Sequence, residues 1–108
     1  MDWLPISEET IWDMINEATI DISAAERRLW EHISILPEKW KQEPYGTQGG
    51  GFWIVGLIGR NVIWYNDIED GFNLSRYTTY GEIGEYWCNQ DSLLTVLTGL
   101  NRMIVGDA

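Results

Sequence analysis

Residues 49–72, Gly-Gly-Gly-Phe-Trp-Ile-Val-Gly-Leu-Ile-Gly-Arg-Asn-Val-Ile-Trp-Tyr-Asn-Asp-Ile-Glu-Asp-Gly-Phe, decide the fold. Phe52 to Ile58 and Val62 to Asn66 are rich in β-branched and aromatic residues, and Gly59, Arg60 and Asn61 between them tolerate positive φ. That pattern predicts a β-hairpin. Both runs are nearly continuously apolar rather than alternating, so the strands are expected to be covered on both faces, by helices on one side and aromatic side chains on the other. Gly56 then leaves room for a backbone or an indole to approach closely. The hairpin exits directly into Asn66-Asp67-Ile68-Glu69-Asp70-Gly71, an acidic turn held at one edge of the domain.

Working outward, Phe72 to Thr79 alternates Phe72, Leu74 and Arg76 with Asn73, Ser75 and Tyr77, which reads as a third and more exposed strand. Glu85 to Cys88 is expected to add a short edge strand. Asp91 or Asn89 is placed to cap a last helix in which Leu93, Val96, Leu97, Leu100, Met103 and Ile104 keep helical spacing. Towards the N-terminus, Ser7 is positioned to cap a helix from Glu8 to Ala18, with Ile11, Met14, Ile15 and Ala18 as its apolar stripe. Ser23 and Glu26 form a capping-box pattern that starts a second helix at Ala24, running to about Ser34. Pro37 stops helical continuation and Ile35 to Pro44 reads as a connector, because proline lacks an N–H and biases its predecessor away from helix. A loop follows through Gln48. The expected architecture is a single α+β domain, an antiparallel sheet of three or four strands with two N-terminal helices and one C-terminal helix.

A chain of 108 residues buries about 65% of its unfolded surface, enough for one core without metals or disulfides. Seven Trp, five Tyr and two Phe supply that core with large apolar area. Trp12, Trp30, Trp53 and Trp64 are assigned to it, and Trp3 and Trp40 are expected to be half exposed. Seventeen acidic against seven basic residues give a net charge of -10, which repels phosphate backbones and anionic membranes and attracts cationic protein surfaces. A basic protein partner is therefore expected, with neither nucleic acid nor membrane as a target. Cys88 stands alone, so no intramolecular disulfide forms, and a reducing compartment is expected. The first residues lack the basic and long apolar regions of a signal peptide, and no apolar run reaches the length of a membrane span. These features point to a cytoplasmic protein.

Two acidic groups are candidates for partner binding. Asn66, Asp67, Glu69 and Asp70 lie in the turn, and Glu9, Asp13 and Glu17 share the polar side of the first helix, where like charges four residues apart cost helix stability. Other chemistry lacks its residues. The glycines Gly46, Gly49, Gly50 and Gly51 have no P-loop Lys or Ser/Thr behind them. Aligning Gly71 with the sharp-turn glycine of an EF-hand puts Ile68 at a ligand position and Tyr77 where the bidentate Glu belongs, so no metal or other cofactor is assigned. His32 and Cys88 would need to meet to act as base and nucleophile, and Cys88 is expected to pack as a small apolar residue. No catalytic residues are assigned. Two further classes stay open: a small-ligand or carbohydrate domain with a Trp-lined cleft, and a structural homo-oligomer burying surplus Trp.

From Glu43 to Leu100 the order Pro-Tyr-Gly-Thr-Gln-Gly-Gly-Gly, an apolar strand, Asn-Val-Ile-Trp-Tyr-Asn-Asp-Ile-Glu, and Asp-Ser-Leu-Leu-Thr-Val-Leu resembles the second half of SMI1/KNR4-like (SUKH) domains. In the first half, Ile35-Leu36-Pro37-Glu38-Lys39-Trp40 looks like the family's Leu-Pro segment, without its following helix and Asn-Gly-Gly. The resemblance implies an α+β binding module without catalysis, of a family widely used as bacterial immunity proteins that neutralise a co-encoded toxin. An acidic surface suits that role independently, since nuclease toxins that act on a polyanion are themselves basic.

Overall fold

The computed structural model describes residues 4–46 and 50–105. Trp3 and Gly49 lie outside the described residues. The element order is α1 Glu8–Ala18, α2 Ala24–Ile33, β1 Ser34–Trp40, β2 Phe52–Ile58, β3 Asn61–Asn66, β4 Gly71–Arg76 and α3 Leu93–Val105. The four strands form an antiparallel meander in the order β1-β2-β3-β4, so the expected α+β architecture is present.

Both N-terminal helices start where their side chains satisfy orphan N–H groups. Ser7 Oγ accepts from the N–H of Thr10 at 3.2 Å, and Ser23 with Glu26 closes a reciprocal capping box. Helix α3 is capped by Ser92, whose Oγ accepts from the N–H of Thr95 at 3.1 Å, rather than by Asp91 or Asn89. The backbone carbonyl of Asp91 is taken instead by the N–H of Phe72.

The hairpin turn needs only two residues, Gly59 and Arg60, with Asn61 already in β3. Gly59 has φ +59 and Arg60 does not enter the left-handed region, the pattern of a Gly-X type II′ turn that matches strand twist. A Cβ on Gly56 would lie 3.4 Å from the Ile33 carbonyl and 3.5 Å from the Trp30 indole, so both expected neighbours are there.

The first half of the expected connector is strand β1. Proline is compatible with a strand at a sheet edge or a bulge, and Pro37 has both, because the β1–β2 register shifts between Ser34 and Glu38. The expected strand over Glu85 to Cys88 is absent, so β1 and not that segment is the fourth strand.

The sheet is buried on both faces. Helices cover one with Ile11, Ile15, Trp30, Ile33, Leu93 and Leu97 against Val55, Ile63, Tyr65 and Phe72. On the other face Trp40, Phe52, Ile54, Val62 and Trp64 pack under a strap, residues 77–91, that contributes Ile83, Tyr77 and Tyr86. Trp40 is thus fully buried, not half exposed, and its Nε1 donates to Glu38. The strap joins the two sheet edges: Lys41 N–H donates to Gly81 and Lys41 accepts from Ile83 beyond β1, while Gly84 N–H donates to Arg76 at the end of β4.

Covering this face also explains why β4 is less exposed than its alternation implies. Ser75 and Asn73 are both 1% exposed. Trp64 Nε1 donates to Ser75 Oγ at 2.9 Å, and Asn73 exchanges hydrogen bonds with the backbone of Asn89, so both of these buried side chains have a partner. Among the described residues no helix is long and apolar enough to cross a membrane.

Candidate functional site

The acidic turn is shaped from inside by Asn66. Its side-chain oxygen accepts from the N–H groups of Ile68 (3.1 Å) and Glu69 (3.2 Å), and its Nδ2 donates to the Trp87 carbonyl at 2.9 Å. Asn66 is 0% exposed, so it holds the turn and presents nothing to a partner, contrary to its place among the expected contact residues. The signal for this role is the ordinary tendency of Asn to bond the backbone two residues on.

Asp67 is half-buried and also serves the fold. Its Oδ2 accepts from the N–H of Ile6 at 2.9 Å, while Trp53 Nε1 donates to the Ile6 carbonyl at 2.9 Å, pinning the segment before α1 to the sheet. Lys39 lies 4.9 Å from the centre of the Trp53 ring. Burial lowers the pKa of its ammonium, and the Asp67 charge works in the opposite direction.

Glu69 is half-buried and Asp70 is exposed. Asp70 adopts φ +57 and its Oδ1 accepts from the Tyr65 hydroxyl at 3.3 Å. Glu9, Asp13 and Glu17 are all solvent-facing on α1. Of these, Glu17 approaches the turn. Glu17 and Asp70, together with Asp91 just before α3, line an open groove of about 480 Å³. Its floor is apolar, built from Met14, Tyr65, Phe72 and Leu93. Glu9 and Asp13 lie outside that lining.

The two acidic groups therefore share a surface through one residue from each. Asp91 completes the rim, a place that its reading as a helix cap does not reveal. Tyr65 and Phe72 read only as core strand residues. Among the described residues no Lys or Arg lines the groove. Burial, followed by the charge and hydrogen bond of Asp70, pushes the Tyr65 phenol up to about 12, so at neutral pH it remains a neutral donor facing carboxylates. An apolar floor with an anionic rim is chemically suited to a cation carried on an apolar stem, such as an arginine or lysine side chain.

The residues of the other candidate chemistries are not assembled. His32 is exposed on α2, which covers the helical face of the sheet, whereas Cys88 lies within the strap on the opposite face and is exposed rather than packed. The Asn66 oxygen that an EF-hand alignment would use is occupied by two N–H groups, and Tyr77 packs edge-on against Trp40 with ring centroids 5.0 Å apart. Trp12 and Trp30 line a cavity of about 280 Å³ with Ile15, Ser34 and Leu36, and among the described residues no carboxylate lines it.

Comparison with protein-family models, with curated proteins and with solved structures returned no match.

Proposed function

We propose that this chain is a small non-enzymatic binding module that captures a basic protein partner, of the immunity or antitoxin type that inhibits a toxin. The observation that carries the reading is the convergence of Glu17, Asp70 and Asp91, from three separate parts of the chain, around Tyr65 and Phe72, with no cationic side chain among the described residues of the lining. A net charge of -10 adds long-range attraction for a cationic partner, which raises association rate and disfavours nucleic acid. The resemblance of residues 43–100 to SMI1/KNR4-like domains supports the same role.

The rigid frame beneath the groove suits inhibition. Tyr65 and Phe72 pack ring to ring at 4.9 Å within the core, so a partner meets a preformed floor and loses little to ordering it. Co-expression with the product of the neighbouring reading frame tests the biological role. A basic, growth-inhibiting product that forms a complex with this chain and loses its toxicity is the expected result. A neighbouring product that is a metabolic enzyme, with no complex formed, would overturn the immunity reading.

A further inference from the structure

Strand β4 is the outer strand of the sheet, and its free edge is closed at two places with a gap between them. The Phe72 N–H donates outward to Asp91 at 2.8 Å. Arg76 N–H donates outward to Glu85 Oε1 at 2.9 Å, and its carbonyl accepts from Gly84 at 3.0 Å. In an antiparallel ladder every second residue directs both backbone groups to the same side, so Leu74, midway between them, also turns its N–H and C=O outward. Among the described residues none bonds to that edge of Leu74.

Beside the gap runs a second groove, of about 260 Å³, between β4 and α3. Leu74, Val96, Gly99, Leu100 and Met103 line it. Glycine is unfavourable in a helix interior, yet a Cβ at Gly99 would meet nothing within 4 Å, so internal packing does not call for glycine there. Its absence of a side chain keeps the groove wide. Met103 is 75% exposed, a flexible side chain able to adapt to an apolar occupant. Phe72 and Asp91 line both this groove and the acidic one, so the two adjoin across the Phe72–Asp91 bridge, and among the described residues no Lys or Arg lines either.

We propose that an extended segment of a basic partner docks along this edge. One of its residues exchanges both backbone hydrogen bonds with Leu74, its apolar side chain enters the groove over Gly99, and an arginine further along reaches Asp91 and the acidic groove. The outward backbone calls for a strand-like occupant, the lining for an apolar side chain, and the Asp91 carboxylate shared with the acidic groove for a cation. This deepens the reading of the chain as an acidic binding module and rests on it.

The test uses a fluorescein-labelled Arg-Leu-Arg-Leu-Arg peptide, the same peptide with N-methyl leucines, and Glu-Leu-Glu-Leu-Glu, with anisotropy as readout. Wild-type protein is expected to bind the first and not the third, and N-methylation is expected to weaken binding at least tenfold. Gly99→Leu, which fills open space, is expected to weaken the first peptide at least tenfold with an unchanged circular dichroism spectrum. The N-methyl comparison is made on wild-type protein and so does not depend on how that variant folds. Undiminished binding of the N-methyl peptide, or by folded Gly99→Leu, would overturn the edge docking while leaving the acidic module standing. Equal or absent binding of the arginine and glutamate peptides would overturn both. A dimer in light scattering that Gly99→Leu disrupts, with no peptide bound, would assign the groove to a second copy and overturn the inference.

Discussion

The hydroxyl of Tyr65 donates to Oδ1 of Asp70 at 3.3 Å, joining the last buried aromatic of β3 to the exposed carboxylate on the groove rim. Burial is the first cause of the raised phenol pKa and Asp70 the second. Asp70→Asn should therefore bring the Tyr65 pKa down from about 12 without returning it to 10, because burial remains. Absorbance titration of the phenolate, compared with a Tyr65→Phe control, reads this. The folded pKa lies above the unfolded one, so the associated stability is complete below pH about 10 and is lost as pH rises towards about 12. The difference between the stability curves of wild type and Tyr65→Phe should be constant below pH about 10 and change only in that alkaline window.

Asn66 accepts two backbone N–H groups and donates to Trp87 while fully buried. Asn66→Ala should cost about 3 kcal/mol, since each buried group left unpaired costs about 1–3 kcal/mol. Asn66→Asp keeps the oxygen but loses the donor and buries a charge, and should cost more at neutral pH than Asn66→Ala. Urea denaturation with unchanged m values checks both.

Gly71 sits against the segment that forms the wall between the two grooves. A Cβ there would lie 2.1 Å from the Asn89 carbonyl oxygen and 2.3 Å from the Gln90 Cα, so backbone must move. Gly71→Ala should lower stability by about 2 kcal/mol, within the range for overpacking, and displace Asp91 from the rim. Gly99→Ala should do the reverse, raising stability by about 0.5–1 kcal/mol as a helix-interior glycine is removed into open space. Thermal denaturation of the two variants side by side tests the contrast.

Glu26 joins two contacts: its carboxylate accepts from the Ser23 N–H at 3.0 Å and from the Thr98 hydroxyl at 2.6 Å, tying the start of α2 to α3. The Thr98 hydrogen bond, followed by that of Ser23, lowers its pKa below the usual 4.5. A depressed carboxylate contributes stability that is present above the unfolded pKa and lost as pH falls through the folded pKa. Glu26→Ala should cost about 1 kcal/mol at neutral pH, the usual size of a lost cap. Its stability should also fall less steeply than wild type below pH 4.5 in acid titration followed by circular dichroism.

How far the sequence could be read depended on whether the deciding contacts were local. Helices α1 and α2 start at Ser7 and Ser23 because capping acts within three residues, and the hairpin follows from adjacent β-branched and aromatic residues around Gly59. Strand β1 escaped notice because Pro37 argues locally for a connector, while its pairing with β2 is a non-local fact. Asn73 and Ser75 looked like an exposed face because the strap that buries them arrives from 77–91.

The same distinction governs the site. Glu17 and Asp70 were legible as acids, but their meeting depends on where α1 lies against the β3–β4 turn, and Asp91 joins them only through its backbone bond to Phe72. The place of Asn66 and Asp67 in an acidic turn makes them expected contact residues, whereas their side chains bond inward to Trp87 and Ile6. Charge counts do not distinguish a carboxylate facing solvent from one holding a backbone N–H.

The claim that the Glu17–Asp70–Asp91 rim recognises a cationic partner is tested most directly by the salt dependence of arginine-peptide binding. Wild type should lose affinity steeply between low and physiological ionic strength, as screening shortens the reach of the rim charges to about 8 Å. The triple variant Glu17→Gln, Asp70→Asn, Asp91→Asn should bind at least tenfold more weakly at low salt and show a flatter slope. Equal affinity and equal slope in the two proteins would contradict the account.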